Sequence, residues 1–393
     1  MKRYLEKYIQ EDLVKKMVFI GGPRQVGKTT LSKLISKQYF SNSEYLNWDS
    51  RPNKQKILQE EFSPDTELLI FDEIHKFHDW KNYIKGLYDT KKEIYKIIVT
   101  GSSRLDLYRK GGDSMLGRYH YYRLHPFSVA EILELQPSFA DLRQNFVLKF
   151  QESDSQSQKI VNDLMTFGGF PEFFLEKSRI EQARFLNERK ERLFKEDVRD
   201  LTFIREFSIF QILLDILPDK VASVFSINSV REDLQVSHKT ISKWMDILDN
   251  FYYTFRIYPF SFSTIKSLKK EPKLFLWDYS ELKNEAQRFE NLIAAHLLKF
   301  SHFLYDIYGL RTDLRYMRDF AKREVDFVFL IDNKPVFAVE VKLSATKISN
   351  HLKYFQKKID IPYWYQVVKK EGVDFEKEGI RVMSASKFLT GLV

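Results

Sequence analysis

Cysteine is absent from the 393 residues. That excludes disulfides, zinc–thiolate sites and cysteine nucleophiles, and it agrees with a reducing cytoplasm as the expected location. No run of apolar residues approaches the ~20 that a membrane-spanning helix needs, so no membrane partner is expected. The opening stretch MKRYLEKYIQEDLVKK is too polar for a secretory signal. Internal repeats and long low-complexity tracts are also missing; the polar segment QESDSQSQK, Gln151 to Lys159, reads as a loop or linker. Neither charge sign dominates. The 63 Lys+Arg against 54 Asp+Glu give a net +9, which suits a nucleic-acid partner and equally a solvated lysine-rich surface. What is present is the composition of an ordinary folded chain, 44% hydrophobic and 30% charged, and its length suggests about two to four domains. The 15% aromatics read as core filling.

The stretch KKMVFIGGPRQVGKTTLSKLI has a short apolar strand, a glycine-bearing loop and a helical pattern. Gly22-x-x-x-x-Gly27-Lys28-Thr29 has the spacing of a phosphate-binding loop in the strand–loop–helix context that loop requires. The glycines let backbone N–H groups wrap a β-phosphate at the positive end of the following helix. Gly22, Pro23, Arg24, Gln25, Val26, Gly27, Lys28, Thr29 and Thr30 are therefore the expected ATP-binding residues. Lys28 reaches the β- and γ-phosphates, and the Thr29 hydroxyl ligates Mg²⁺.

In ELLIFDEIHK an apolar run ends in Asp72 and Glu73, which puts two acids at the carboxyl edge of a parallel sheet, where ligands bind. Asp72 is expected to hold the Mg²⁺ and Glu73 to act as general base on the attacking water. An acidic helix start has the same composition. A third strand, YKIIVTGSSRLDL, ends in Thr100, Ser102 and Ser103, of which Ser102 is the expected γ-phosphate or water-positioning residue. Arg118, after a Gly-rich loop, is a candidate for stabilising transition-state charge, in cis or from a neighbouring subunit of a homo-oligomer; a surface arginine fits equally. His75 and His78 lack an evident third ligand and read as surface histidines.

From about Leu164 to Pro218 the pattern is helical, with Leu193, Val198, Leu201, Phe210, Leu213 and Leu217 as apolar positions. In FSINSVREDLQVSHKTISKWMDILDNFYYTFRIYPF, Ser229–Leu234 and His238–Leu248 predict two helices around a Gln235-Val236-Ser237 turn, followed by two strands. This is a helix-turn-helix with a wing. His238, Lys239, Ser242 and Lys243 near the second helix start are the candidate DNA contacts, although Asp246 and Asp249 keep that helix from being strongly basic. Near the C-terminus, EVDFVFLIDNKPVFAVEVKLS reads as two strands round a turn. Side chains alternate along strands, so Glu324 and Asp326 share a face, as do Glu340 and Lys342. Pairing round the turn would bring Asp326 and Glu340 together as Mg²⁺ ligands, with Glu290 from the helical RFENLIAAHLLKF as a third acid and Lys342 orienting a water. A solvated hairpin with ordinary ion pairs is the plainer alternative.

GGPRQVGKTT, LLIFDEIHK, IIVTGSS and GRYHYYRLHPFSVAEI in this order resemble the AAA+-type P-loop ATPases of bacteria and archaea that carry a C-terminal domain of unknown function. MTFGGFPEFF and KERLFKEDVRDL match that family's glycine–proline and lid segments, so the resemblance covers nearly the whole chain. The C-terminal layout is similar to the restriction-endonuclease-like PD-(D/E)xK core, with Val325 where the motif has proline. The resemblance implies an α/β chain: a P-loop NTPase parallel sheet (1–135), a helical lid or linker (136–218), a winged helix (219–275) and a restriction-endonuclease-like α/β domain (276–393). It implies an ATPase with ATP and Mg²⁺ as cofactors and DNA as expected partner, the last domain cleaving or only binding DNA. In that reading ATP binding orders the lid, which repositions the C-terminal modules. The alternative is an ATP-driven signalling or assembly switch whose C-terminal modules bind protein.

Overall fold

The computed structural model describes residues 2–101, 115–135, 146–152, 154–192, 207–261, 270–344 and 347–393. The chain divides into two units, Met1–Pro126 and Phe127–Val393.

The first unit is built on strands β1 (Met17–Gly21), β2 (Ser43–Asn47), β3 (Leu68–Asp72), β4 (Lys96–Thr100) and β5 (Tyr119–Arg123). They form one sheet in the order β2-β3-β4-β1-β5, and every pairing is parallel. Parallel strands are covered on both faces, which is why MVFIG and LLIFD are buried at every position. On one face Phe19, Phe71 and Val99 pack with Trp80, Ile84 and Leu87 of the helix Trp80–Lys91. Each such side chain contributes about 1.5–3 kcal/mol by leaving water. The order separates β1 from β3 by β4, with Asp72 opposite Thr100 and Ile20 opposite Thr100's other side. The loop after β1 and the acids after β3 therefore end at the same carboxyl edge.

In the second unit, the helix Ser155–Phe167 starts inside the segment expected to be a loop. The Asp154 side chain accepts from the Ser157 N–H while Ser157 accepts from the Asp154 N–H, a capping box that lets a polar sequence begin a helix. Phe210, Leu213 and Leu217 of the helical region are buried; Leu193, Val198 and Leu201 lie outside the described residues. The helices Ile227–Leu234 and His238–Asn250 flank a turn in which Gln235 is left-handed and the Ser237 hydroxyl caps the Thr240 N–H. Ile241, Trp244, Met245 and Leu248 form the buried stripe of the second helix.

Strands β6 (Thr254–Pro259) and β7 (Lys273–Leu276) pair antiparallel. They continue into β8 (Thr312–Arg318), β9 (Glu324–Ile331), β10 (Lys334–Lys342), β11 (Tyr363–Val368), β12 (Asp374–Lys377) and β13 (Ile380–Ser384). The eight form one sheet, β12-β13-β11-β10-β9-β8-β6-β7. The expected boundary at 275/276 falls inside β7. Asp332 and Asn333, both at positive φ, close the tight β9–β10 hairpin. The 24-residue helix Glu285–Tyr308, capped by Asn284, packs its long buried stripe against this sheet.

That helix carries a buried histidine. His296 Nε2 accepts from the Val129 N–H at 3.2 Å, so Nδ1 holds the proton and donates to the Leu292 carbonyl at 2.8 Å. Burial pulls its pKa down from 6.5 to about 4, and the Lys299 ammonium adds to the effect. Between those pH values the unfolded chain takes up a proton that the folded chain refuses, so stability falls as pH drops through this interval, by roughly 3 kcal/mol. His296→Gln should abolish that part of the acid sensitivity. Thermal melts of both proteins at pH steps from 6.5 to 4 should show a steeper Tm decline in the wild type.

Candidate functional site

The phosphate loop is held in shape by two glycines that no other residue replaces cheaply. Gly22 has φ +137°, and a Cβ there would lie 2.4 Å from the Leu124 carbonyl oxygen. Gly27 at φ 94° caps the helix Lys28–Tyr39, whose N–H groups face the loop. The loop residue Gln25 is also left-handed, and Val26 is fully buried. Arg3 ties the loop to the sheet by donating to the Val26 and His125 carbonyls at 2.6 and 2.5 Å. Lys28 is buried, and its ammonium donates to the Gly22 and Pro23 carbonyls at 2.9 and 2.6 Å.

Asp72 collects three hydroxyls at the carboxyl edge. Thr29 Oγ1 donates to Oδ2 at 2.9 Å, Tyr45 Oη to Oδ2 at 2.5 Å, and Thr100 Oγ1 to Oδ1 at 2.6 Å. Thr29 and Asp72 are thus in contact across 43 residues of sequence. Their oxygens fit Mg²⁺, which is held by hard oxygen ligands. Tyr45 went unnoticed in the sequence; it lies in the middle of β2 and reaches Asp72 through the length of its side chain. Burial and the bond to Asp72 raise the Tyr45 pKa, so it stays a donor. Ser102 lies outside the described residues.

Glu73 follows with φ 56°, an uncommon conformation for glutamate that turns the chain sharply out of β3. Its N–H donates to the Thr100 carbonyl at 3.1 Å. Its carboxylate stands 3.6 Å from Lys76 Nζ and 3.5 Å from His75 Nε2. Burial raises its pKa; Lys76 opposes the shift and Asp72 adds to it. His78 is exposed, but His75, expected at the surface, is buried, because it follows buried Ile74 in a tight turn under the edge.

Arg118 is not brought to this site within the chain. It immediately precedes β5, beside Met17 at the amino edge of the sheet, while the phosphate loop lies beyond the carboxyl edge, about 13 Å of strand away. Its guanidinium grips Asp89 with Nε and Nη2 at 2.7 and 3.0 Å.

The C-terminal acids meet, but around a lysine. Lys273 Nζ lies 2.6 Å from Glu324, 2.8 Å from Glu290 and 3.1 Å from Asp326. The second Asp326 oxygen accepts from the Val341 N–H at 2.9 Å. Lys342 pairs with Glu340 Oε1 at 2.7 Å, while Glu340 Oε2 is buried with no hydrogen-bond partner. Burial raises the Glu290 and Glu340 carboxyls well above the usual carboxylate range, the Asp326 charge adding to both. Burial alone would lower the Lys273 ammonium; Asp326, Glu290 and Glu324 outweigh it and hold the charge. Among the described residues no group of three or more His, Cys, Asp or Glu is arranged to hold a metal ion. The acids do not fit one here, because the ammonium occupies the point where three of them converge. Lys273 went unnoticed in the sequence, where it fell only within the expected winged-helix range 219–275; the single charge in KLFLW was its signal.

The first unit has the fold and loop of a P-loop NTPase, and residues 14–133 match the family model described as AAA domain. Residues 158–288 and 286–388 match two models described as domains of unknown function, DUF8612 and DUF4143. An uncharacterized protein of Methanocaldococcus jannaschii is 25% identical, over 90% of this chain and 82% of its own length. A second from the same organism is 27% identical over 70% of this chain, which spans 63% of that relative. One from Haemophilus influenzae is 22% identical over 95% of this chain and 96% of its own. Among solved structures, the Thermotoga maritima RuvB Holliday junction branch migration motor aligns at TM-score 0.31 and 16% identity, over 64% of this chain and 85% of its own. No helix among the described residues is long and apolar enough to cross a membrane.

Gly22→Ala should distort the loop. The collision with Leu124 and the positive φ together cost on the order of 1–3 kcal/mol. The expected result in a thermal-shift assay is a lower Tm and loss of the Tm rise that a nucleoside triphosphate with Mg²⁺ gives the wild type.

Proposed function

We propose that the chain is a Mg²⁺-dependent ATPase whose hydrolytic residues are Lys28, Thr29, Asp72 and Glu73. The observation that carries this reading is the Thr29–Asp72 contact at 2.9 Å, which unites the phosphate loop and the acidic strand end. Backbone N–H groups of Gly22 to Gly27 and the helix beginning at Lys28 bind the phosphates. Lys28 exchanges its loop carbonyls for β- and γ-phosphate oxygens. Thr29 and Asp72 would hold Mg²⁺, which neutralises phosphate charge when bound with the nucleotide. Glu73 accepts the proton of the attacking water, a task its raised pKa serves. Thr100 fixes the Asp72 carboxylate from the neighbouring strand.

Glu73→Gln should keep nucleotide binding and lower kcat about 10²–10⁴-fold. A variant that hydrolyses ATP at the wild-type rate would remove Glu73 from the mechanism.

We also propose DNA as the partner of the helix His238–Asn250. His238, Lys239 and Lys243 are exposed near its start, and Ser242 is half-buried beside them. The acids that weakened this reading in the sequence are engaged elsewhere: Arg256 binds Asp246 and Asp249, each at 2.6 Å. DNA should therefore stimulate ATP hydrolysis by the full chain. Lys239→Ala should weaken DNA binding and reduce the slope of log affinity against log salt by about one. Hydrolysis indifferent to DNA would favour the protein-directed switch.

A further inference from the structure

The carboxylate cluster of the C-terminal unit holds four acids and has its own resident positive charge. Glu290 comes from the long helix, Glu324 and Asp326 from β9, and Glu340 from β10. Lys273 enters from β7, opposite Ile257 of β6, and is only 2% exposed. β7 is the edge strand of the sheet, and from it the Lys273 side chain turns inward, so that the ammonium is buried among the acids.

We propose that Lys273 is a built-in cation that stands in the place of a divalent metal, so that this cluster is assembled without one. The count of donors supports this. An ammonium has three N–H groups; Lys273 donates to Glu290 and Asp326 at 2.8 and 3.1 Å and pairs with Glu324 at 2.6 Å, so three carboxylates already surround it. The fourth acid is the one left short: Glu340 receives Lys342 on Oε1 and nothing on Oε2, although that oxygen is buried. A hexacoordinate metal would take a fourth oxygen, whereas a three-donor ammonium leaves it over. The remaining cations act at the rim. Arg318 reaches Glu324 at 3.4 Å, and Lys342 is half exposed. A divalent ion ligated by Glu290 and Asp326 would sit against the ammonium, so the two positive charges exclude each other. The consequence is a nuclease-like scaffold that keeps its acids together for shape and not for metal-dependent phosphodiester cleavage. This inference concerns a different site from the ATPase reading and does not rest on it.

Mn²⁺ binding to the full-length chain without nucleotide tests it, in a Thr29→Ala background that removes the phosphate-loop ligand. Electron paramagnetic resonance reads the loss of the free Mn²⁺ signal, and Tm is followed in parallel. The expected result is no Mn²⁺ bound by the Lys273-containing chain and no change in its Tm. Lys273→Met, of similar length and no charge, should bind one Mn²⁺ per chain and gain a Mn²⁺-dependent rise in Tm. Both effects should disappear when Asp326→Asn is added. Mn²⁺ bound with Lys273 present, and lost on Glu340→Gln or Asp326→Asn, would overturn the proposal. So would a folded Lys273→Met chain that binds no Mn²⁺. If Lys273→Met does not fold, the comparison between the Lys273-containing chain and its Glu340→Gln form decides the matter.

Discussion

The carboxylate of Asp72 receives hydroxyls from Thr29, Tyr45 and Thr100, which belong to three different elements of the first unit. A buried acid with incomplete hydrogen bonding is costly, and one with three donors is fixed in orientation. That convergence places the phosphate loop, β2 and β4 relative to the end of β3. It requires a parallel sheet, because only parallel strands deliver all their carboxyl ends to one edge. The strained Glu73 follows directly, held by its N–H on the Thr100 carbonyl, so the candidate base is positioned by the same edge that positions the proposed metal ligands Thr29 and Asp72.

The C-terminal unit uses the opposite balance. Four acids converge on buried ground, where charge is expensive unless paired. Lys273 supplies the pairing for three of them, and the cost of removing it would be an uncompensated group of carboxylates. The cluster therefore also ties β7 to β9 and to the long helix, joining strands that the sequence suggested belong to separate domains. The small strand pair after the two short helices is continuous with the large sheet through Tyr258 and Pro259 opposite Arg315 and Tyr316.

Local signals carried the elements well. The phosphate loop was legible because its glycine spacing reflects steric demands that Gly22 and Gly27 meet directly. The β9–β10 hairpin was legible because its apolar runs flank Asp332-Asn333, and the helix pair because Gln235 and Ser237 are a stop and a start. The start of the helix Ser155–Phe167 was missed because a capping box is polar and looks like a linker when only composition is weighed.

The sequence by itself determined the α/β class, the strand–loop–helix unit around Gly22 to Thr29, the helix pair and the β9–β10 hairpin, since these depend on neighbours within a few positions. Only the tertiary structure decided which distant groups meet. It joined Tyr45 to Asp72, set Arg118 at the far edge of the sheet with Asp89, and put Lys273 among Glu290, Glu324 and Asp326. Such contacts follow from strand order and sheet register, which are settled by packing across the whole unit and leave no periodic trace in the chain.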